Sequence, residues 1–261
     1  SMDIREKYIY VVNVGVNMES TKAIVLSWNN LNVIKDSIRR LRKETDVIVV
    51  DNGSTDGSQL YLADLGDKIT YIQMGENKGS SVARNMAISR VKGDFFLIDG
   101  DILYVPESIK YLKEILDSHP ECGIVGVNDP GRVAATGMNG TLDLMEADIK
   151  AKEPDKIFKG FPMAWTQYGV FRNTGQKFPE EYPFDRAGHG YEDSFWYWEM
   201  KEKGLESYFI TKPLYFHDAH AGKRELNKVK MPTLENERRE AFEKRFGKVD
   251  WMDKPIKIEE V

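Results

Sequence analysis

The residues best suited to chemistry are the carboxylates of Asp99-Gly100-Asp101, which directly follow the apolar run Phe95-Phe96-Leu97-Ile98. In an extended backbone, residues two apart project to the same side, so both carboxylates would face one divalent cation. The glycine between them would let a phosphate close on the backbone. Hard oxygen ligands of this kind suit Mg2+ or Mn2+. A calcium loop of the EF-hand type is excluded, because Leu103 and Tyr104 stand where it needs an oxygen ligand and a glycine. The competing reading is a hydrated turn at the end of a strand.

A second pair of acids, Glu192 and Asp193, opens a segment that closes at Gly204 with Lys201 and Lys203 in its last turn. That charge order is the order of a helix, whose dipole keeps acids at its N-terminus ionised. An ionised carboxylate is what a general base requires, although the same pair would also serve simply to complement the helix end. His217 and His220 do not make a zinc site, since no cysteine or third strong ligand accompanies them. Lys223, Arg224, Lys228 and Lys230 stand against Glu225, a basic stretch that suits a solvated face, a loop closing over a diphosphate, or an anionic partner.

The elements that must position these groups follow from hydrophobic periodicity. Residues 23–28, 46–50, 69–74, 95–98 and 122–127 read as buried strands. Between them Ile34, Ile38 and Leu41, then residues 81–91, then Ile109, Leu112 and Leu116 recur at helical spacing, and turn formers at 51–57 begin another helix. Asp56 lies close to that helix start and is expected to cap it. Alternating strands and helices predict an α/β fold with a mostly parallel sheet covered on both faces, in which ligands gather at the carboxyl ends of the strands. Those ends are 27–30, 51–56 and 99–101. The second half is less regular and rich in aromatics, and residues 234–246 read as a charged surface helix anchored by Leu234, Phe242 and Phe246. No linker divides the chain, so a single domain over 1–261 is expected.

The chain has 261 residues, 41% hydrophobic and 30% charged, with a formal net charge of -5. This composition excludes a disordered or fibrous protein, and the charge provides no overall field toward nucleic acid or an anionic membrane. The single cysteine, Cys122, sits among apolar neighbours and reads as a core thiol in a reducing, cytoplasmic compartment. No apolar run spans a bilayer or resembles a signal peptide, so membrane association would be peripheral.

Asp51-Asn52-Gly53-Ser54-Thr55-Asp56, Gly79-Ser80-Ser81-Val82-Ala83-Arg84-Asn85, the Gly93 to Asp101 segment and Glu192-Asp193 together resemble glycosyltransferase family 2 in order and spacing. The resemblance covers roughly residues 22–220 and is thin between 131 and 183. It implies the GT-A fold, a Rossmann-like sheet with a nucleotide-sugar-binding half over about 22–130, an acceptor-side half over about 131–220, and a C-terminal loop and helix over 221–261.

By that resemblance Asp51 contacts a uracil imide beside Ser27, and Arg84 lies near the donor. Asp99, Gly100 and Asp101 hold the diphosphate, with His217 joining Asp99 and Asp101 at Mn2+ or Mg2+. Asp193 would be the base of an inverting transfer from a UDP-sugar, with Glu192 on acceptor or donor hydroxyls. The acceptor could be a glycan, a lipid-linked sugar, a protein or a modified nucleic acid. One of Trp165 and Trp196 is expected to line its site, while Phe195 and Trp198 pack inside. A sugar-nucleotide nucleotidyltransferase would need a glycine-rich basic loop after the first strand, which Ser27-Trp28-Asn29-Asn30 lacks. A silent nucleotide-sugar-binding module is the reading from outside enzymes.

Overall fold

The computed structural model describes residues 10–12, 21–127, 156–160, 167–181, 183, 191–211, 214–217, 235–247 and 259–261. Its first part runs β1 (Tyr10–Val12), β2 (Lys22–Ser27), α1 (Leu31–Leu41), β3 (Val47–Asp51), α2 (Ser58–Asp64), β4 (Thr70–Gln73), α3 (Ser80–Ile88), β5 (Phe95–Asp99), β6 (Ile102–Tyr104), α4 (Ser108–Ser118) and β7 (Cys122–Val127). There follow β8 (Ile157–Lys159), β9 (Tyr168–Phe171), α5 (Glu192–Glu202), β10 (Glu206–Ile210), β11 (Tyr215–His217), α6 (Glu235–Phe246) and β12 (Glu259–Glu260).

Among the described residues ten strands form one sheet, in the order β1-β4-β3-β2-β5-β9-β7-β10-β8-β12. The run β4-β3-β2-β5 is parallel, as is β7-β10, while β1, β8 and β9 run against the rest. Side chains alternate across a strand, and the strands use this to feed two separate core layers. Ala23, Val25, Val47, Val49, Phe96 and Ile98 meet Ile34 and Ile38 of α1 and Leu112 and Leu116 of α4 on one face. Ile24, Ile48, Val50, Phe95 and Leu97 meet Ala83 and Ala87 of α3 and Trp196 and Met200 of α5 on the other. The fold is α/β with helices on both faces. Among the described residues no helix is long and apolar enough to cross a membrane.

Sequence periodicity does not reveal the strands β1, β6, β8, β10 and β12, nor the central β9. β9 enters antiparallel between β5 and β7, with Phe95 opposite Phe171 and Ile124 opposite Phe171 on its other side. A four-residue run offers too little periodicity to announce itself, and its partners are remote in sequence. β6 and β11 make a small separate sheet in which His217 pairs with Ile102, the residue after Asp101.

Candidate active site

Three parallel strands deliver their last residues to one end of the sheet: Ser27 from β2, Asp51 from β3 and Asp99 from β5. Registers pair Ser27 with Asp51 and Leu26 with Asp99, so the three termini stand side by side. Ser27 is buried and its hydroxyl donates to Asn30 Oδ1 at 2.8 Å. Asn29 adopts φ 53°, and from there its backbone N–H donates to Ser54 Oγ at 3.0 Å while its Oδ1 accepts from the Thr55 N–H at 2.7 Å. The turn after β2 is thereby tied to the turn after β3.

Asp51 organises that second turn. Its Oδ1 accepts from the Ser54 N–H at 2.9 Å and its Oδ2 from the Tyr71 hydroxyl at 3.2 Å. Burial raises its carboxyl above the ordinary range, against the lowering effect of Ser54 and Tyr71. Asp51 is fully buried, and a base N–H would share its oxygens with the Ser54 N–H and the Tyr71 hydroxyl. Asp56 is structural, as expected, but it serves two helices. Its Oδ2 accepts from the Leu31 N–H of α1 at 2.9 Å and its Oδ1 from the Ser58 N–H of α2 at 3.0 Å. Asn52 closes the loop against the turn before α3, donating to Asn77 Oδ1 and Gly79 O and accepting from the Lys78 N–H.

At the end of β5 the chain does not stay extended. Asp99 closes the strand, Gly100 and Asp101 form a turn, and β6 starts at Ile102, so the rule that residues two apart face one side does not apply across this break. The reason for glycine also differs from the expected one. A Cβ on Gly100 would lie 2.1 Å from Asn30 Nδ2 and 2.7 Å from Leu26 O, so protein packing already demands its absence.

Arg84, on α3, is the centre of the arrangement. It is 4% exposed, not a solvated helical arginine. Its Nη2 donates to Asp99 Oδ1 at 3.0 Å, and its Nη1 lies 3.9 Å from Asp193 Oδ1, within ion-pair range but beyond a hydrogen bond. Nη1 is buried and makes no hydrogen bond among the described residues. Burial alone would lower the guanidinium's affinity for its proton, but Asp99, Asp193 and Glu192 outweigh burial and hold it above the ordinary arginine value. Asp99 and Asp193 keep 31% and 35% of their side-chain surface open. One buried cation thus holds two accessible carboxylates from opposite halves of the chain.

Glu192 does not share that accessibility. Its Oε1 accepts from Ser80 Oγ at 3.0 Å and its Oε2 from Arg238 Nη1 at 3.3 Å, inside a buried network. The expected contact with acceptor or donor hydroxyls is therefore corrected: Glu192 bonds to the protein. Trp196 is corrected likewise. It is 2% exposed and packs edge-on to Phe95 and Phe171 and against Phe178. A helix residue facing the sheet joins the core, and Phe195 is buried as expected, against Phe242 and Phe246. Trp165, the basic stretch at 223–230 and the side chain of His217 lie outside the described residues. Among the described residues no group of three or more His, Cys, Asp or Glu is placed to hold a metal. The donor chemistry of Asp99 and Asp101 nevertheless fits a hard dication whose remaining oxygens come from a bound diphosphate. Sequence reasoning alone does not single out Arg238 or Ser80 as part of this network. The signal for Arg238 was its place four and eight residues before the anchors Phe242 and Phe246, on one helix face.

The family described as "Glycosyl transferase family 2" matches residues 23–175. An "Uncharacterized glycosyltransferase" of Rickettsia typhi is 32% identical over 99 residues, covering 36% of this chain and 31% of that protein. A "Putative teichuronic acid biosynthesis glycosyltransferase TuaG" of Bacillus subtilis is 27% identical over 105 residues, covering 38% of this chain and 39% of that protein. The matched segment thus spans only about a third of these relatives. In solved structures, TarS 1-349 of S. aureus has a TM-score of 0.54 at 18% identity, covering 76% of this chain and 60% of that one. The mannosyltransferase PcManGT of Pyrobaculum calidifontis, in complex with GDP-Man and Mn2+, has a TM-score of 0.51 at 18% identity, covering 74% of this chain and 54% of that one. The fold is shared with these GT-A transferases.

Proposed function

Because the chain belongs to glycosyltransferase family 2, we propose that it transfers a sugar from a nucleotide-sugar donor, a UDP-sugar, to an acceptor hydroxyl with inversion. The observation that carries this reading is Arg84 held between Asp99, on the nucleotide-binding half, and Asp193, at the start of α5. UDP is the nucleotide in the neighbour TarS 1-349, solved in complex with UDP, and the GDP-Man of PcManGT makes GDP the nucleotide to test against it.

In this reading the turns after β2 and β3 hold the nucleoside, and Asp51 accepts from the base imide beside the Ser54 N–H and the Tyr71 hydroxyl. Asp193 lies in the first turn of α5 with its Oδ1 3.9 Å from the buried guanidinium of Arg84. It accepts the proton of the acceptor hydroxyl as that oxygen bonds to the anomeric carbon, while the bond to the diphosphate breaks and the electron pair leaves with the phosphate. Asp99 and Asp101 would hold Mn2+ or Mg2+, which when bound supplies positive charge for the departing diphosphate. Arg84 keeps Asp99 and Asp193 at a fixed separation, so donor and base share one frame.

Thermal-shift titration of wild type and Asp101→Ala with UDP, GDP and CMP, each with Mn2+ or with chelator, tests the donor half. The expected result is stabilisation by UDP that requires Mn2+ and disappears in the variant. Stabilisation by GDP instead would change the donor, and no stabilisation by any nucleotide would overturn the transferase reading.

A further inference from the structure

Glu192 is the meeting point of three helices: α5, which carries it, α3, whose first residue Ser80 donates to it, and α6, whose Arg238 pairs with it. Arg238 is 1% exposed, and its Nε also donates to Pro183 O at 3.4 Å. Docking α6 does not require this buried charge. Phe242 and Phe246 already seat the helix on Phe195 at ring distances of 5.4 Å and 5.2 Å. Taking a guanidinium out of water is costly, and apolar contacts, which have no preferred direction, would dock the helix more cheaply. A bidirectional hydrogen-bonded clamp adds direction. It fixes the orientation of the first turn of α5, where Glu192 and Asp193 are neighbours.

We propose that Arg238 is a positioning residue that sets Asp193 for proton transfer by clamping Glu192 against Ser80. The inference rests on Asp193 as the base. Tyr191, which precedes the pair, has φ 63°, a left-handed conformation that a large side chain adopts only when its surroundings hold it there. Its ring packs on Phe242 of the same helix α6 at 5.6 Å. The entry to α5 is therefore held by α6 at both the backbone turn and the carboxylate.

The experiment compares wild type, Arg238→Met, Arg238→Lys and the double variant Arg238→Met with Glu192→Gln. Arg245→Ala serves as the control, because Arg245 ties α6 to Glu202 at the far end of α5. The readouts are UDP affinity, the release of UDP from UDP-glucose, UDP-galactose or UDP-N-acetylglucosamine, and amide exchange at residues 195–197.

Misplacement by an ångström can cost about a hundredfold, so Arg238→Met is expected to lower kcat at least about tenfold with UDP affinity within about twofold. Arg238→Lys should recover part of kcat, the double variant should be no worse than Arg238→Met, and Arg245→Ala should keep wild-type kcat. Exchange at 195–197 should quicken in Arg238→Met. Wild-type kcat in Arg238→Met, an equal loss in Arg245→Ala, or unchanged exchange overturns the clamp. If wild type neither binds UDP nor releases it from these donors while exchange still quickens in Arg238→Met, the UDP-sugar transferase reading fails and the clamp alone survives.

Discussion

Two acids with similar neighbours carry different assignments because their exposure differs. Glu192 has both oxygens bonded inside the protein, whereas Asp193 keeps 35% of its side-chain surface beside Arg84. Asp193→Asn should therefore lower transfer by about a hundredfold or more, the scale of a lost general base, while leaving UDP affinity unchanged in a binding titration. The pair Asp99 and Arg84 gives an asymmetric expectation for stability. Asp99→Asn leaves a buried guanidinium with one partner fewer, which should cost about 2–4 kcal/mol in urea unfolding. Arg84→Met removes the buried charge and leaves carboxylates that water reaches, so its loss should be smaller. Asp51 supplies a pH dependence. Its folded carboxyl titrates above the ordinary value of 3.8 because burial disfavours the charge. The folded state then binds the proton more tightly than the unfolded one, so the contribution to stability is full below that ordinary value and is lost as pH rises through the folded value. Asp51→Asn should remove this slope, gaining on wild type between acid and neutral pH in urea unfolding while weakening UDP binding.

Turns determine where these side chains stand, and their glycines differ in kind. Gly53 has φ +81°, and a Cβ there would meet the Glu76 backbone at 2.6 Å. Gly204 has φ +77° with nothing within 4 Å. Gly204→Ala should cost only the conformational strain, about 1 kcal/mol. Gly53→Ala should cost clearly more and weaken UDP binding, because the Asn52 ties to Asn77 and Gly79 must shift; equal losses in the two variants would show that the close approach is absent. Sequence periodicity reveals β2, β3, β4, β5 and β7 and the helices between them because each buries a regular stripe, as Ile34, Ile38 and Leu41 do in α1. It also places Ser27, Asp51 and Asp99 at strand ends. It does not reveal β9, whose identity depends on partners in β5 and β7, nor the burial of Trp196 and Arg238. Those depend on which face of a helix meets which neighbour across the chain, and an aromatic-rich helix such as α5 has no single apolar stripe to declare its inner side.

At the scale of the whole molecule, β9 decides how the halves behave. It lies between β5 and β7, so removing it would open the middle of the sheet and expose Phe95, which stacks on Phe171 at 5.3 Å. The segments before and after Val127, which share one sheet in this way, should unfold together. Ligand binding offers a sharper test than unfolding alone. UDP at about 100 times its Kd stabilises its own site by about 2.7 kcal/mol through mass action. If the sheet is one cooperative unit, that increment must appear in every probe. Fluorescence of a variant keeping only Trp28, in the turn after β2, should therefore shift its urea midpoint by the same free energy as one keeping only Trp198, on α5. A shift confined to Trp28 would mean that the second half melts independently, and Arg84 would then join Asp99 to Asp193 only while both halves are folded.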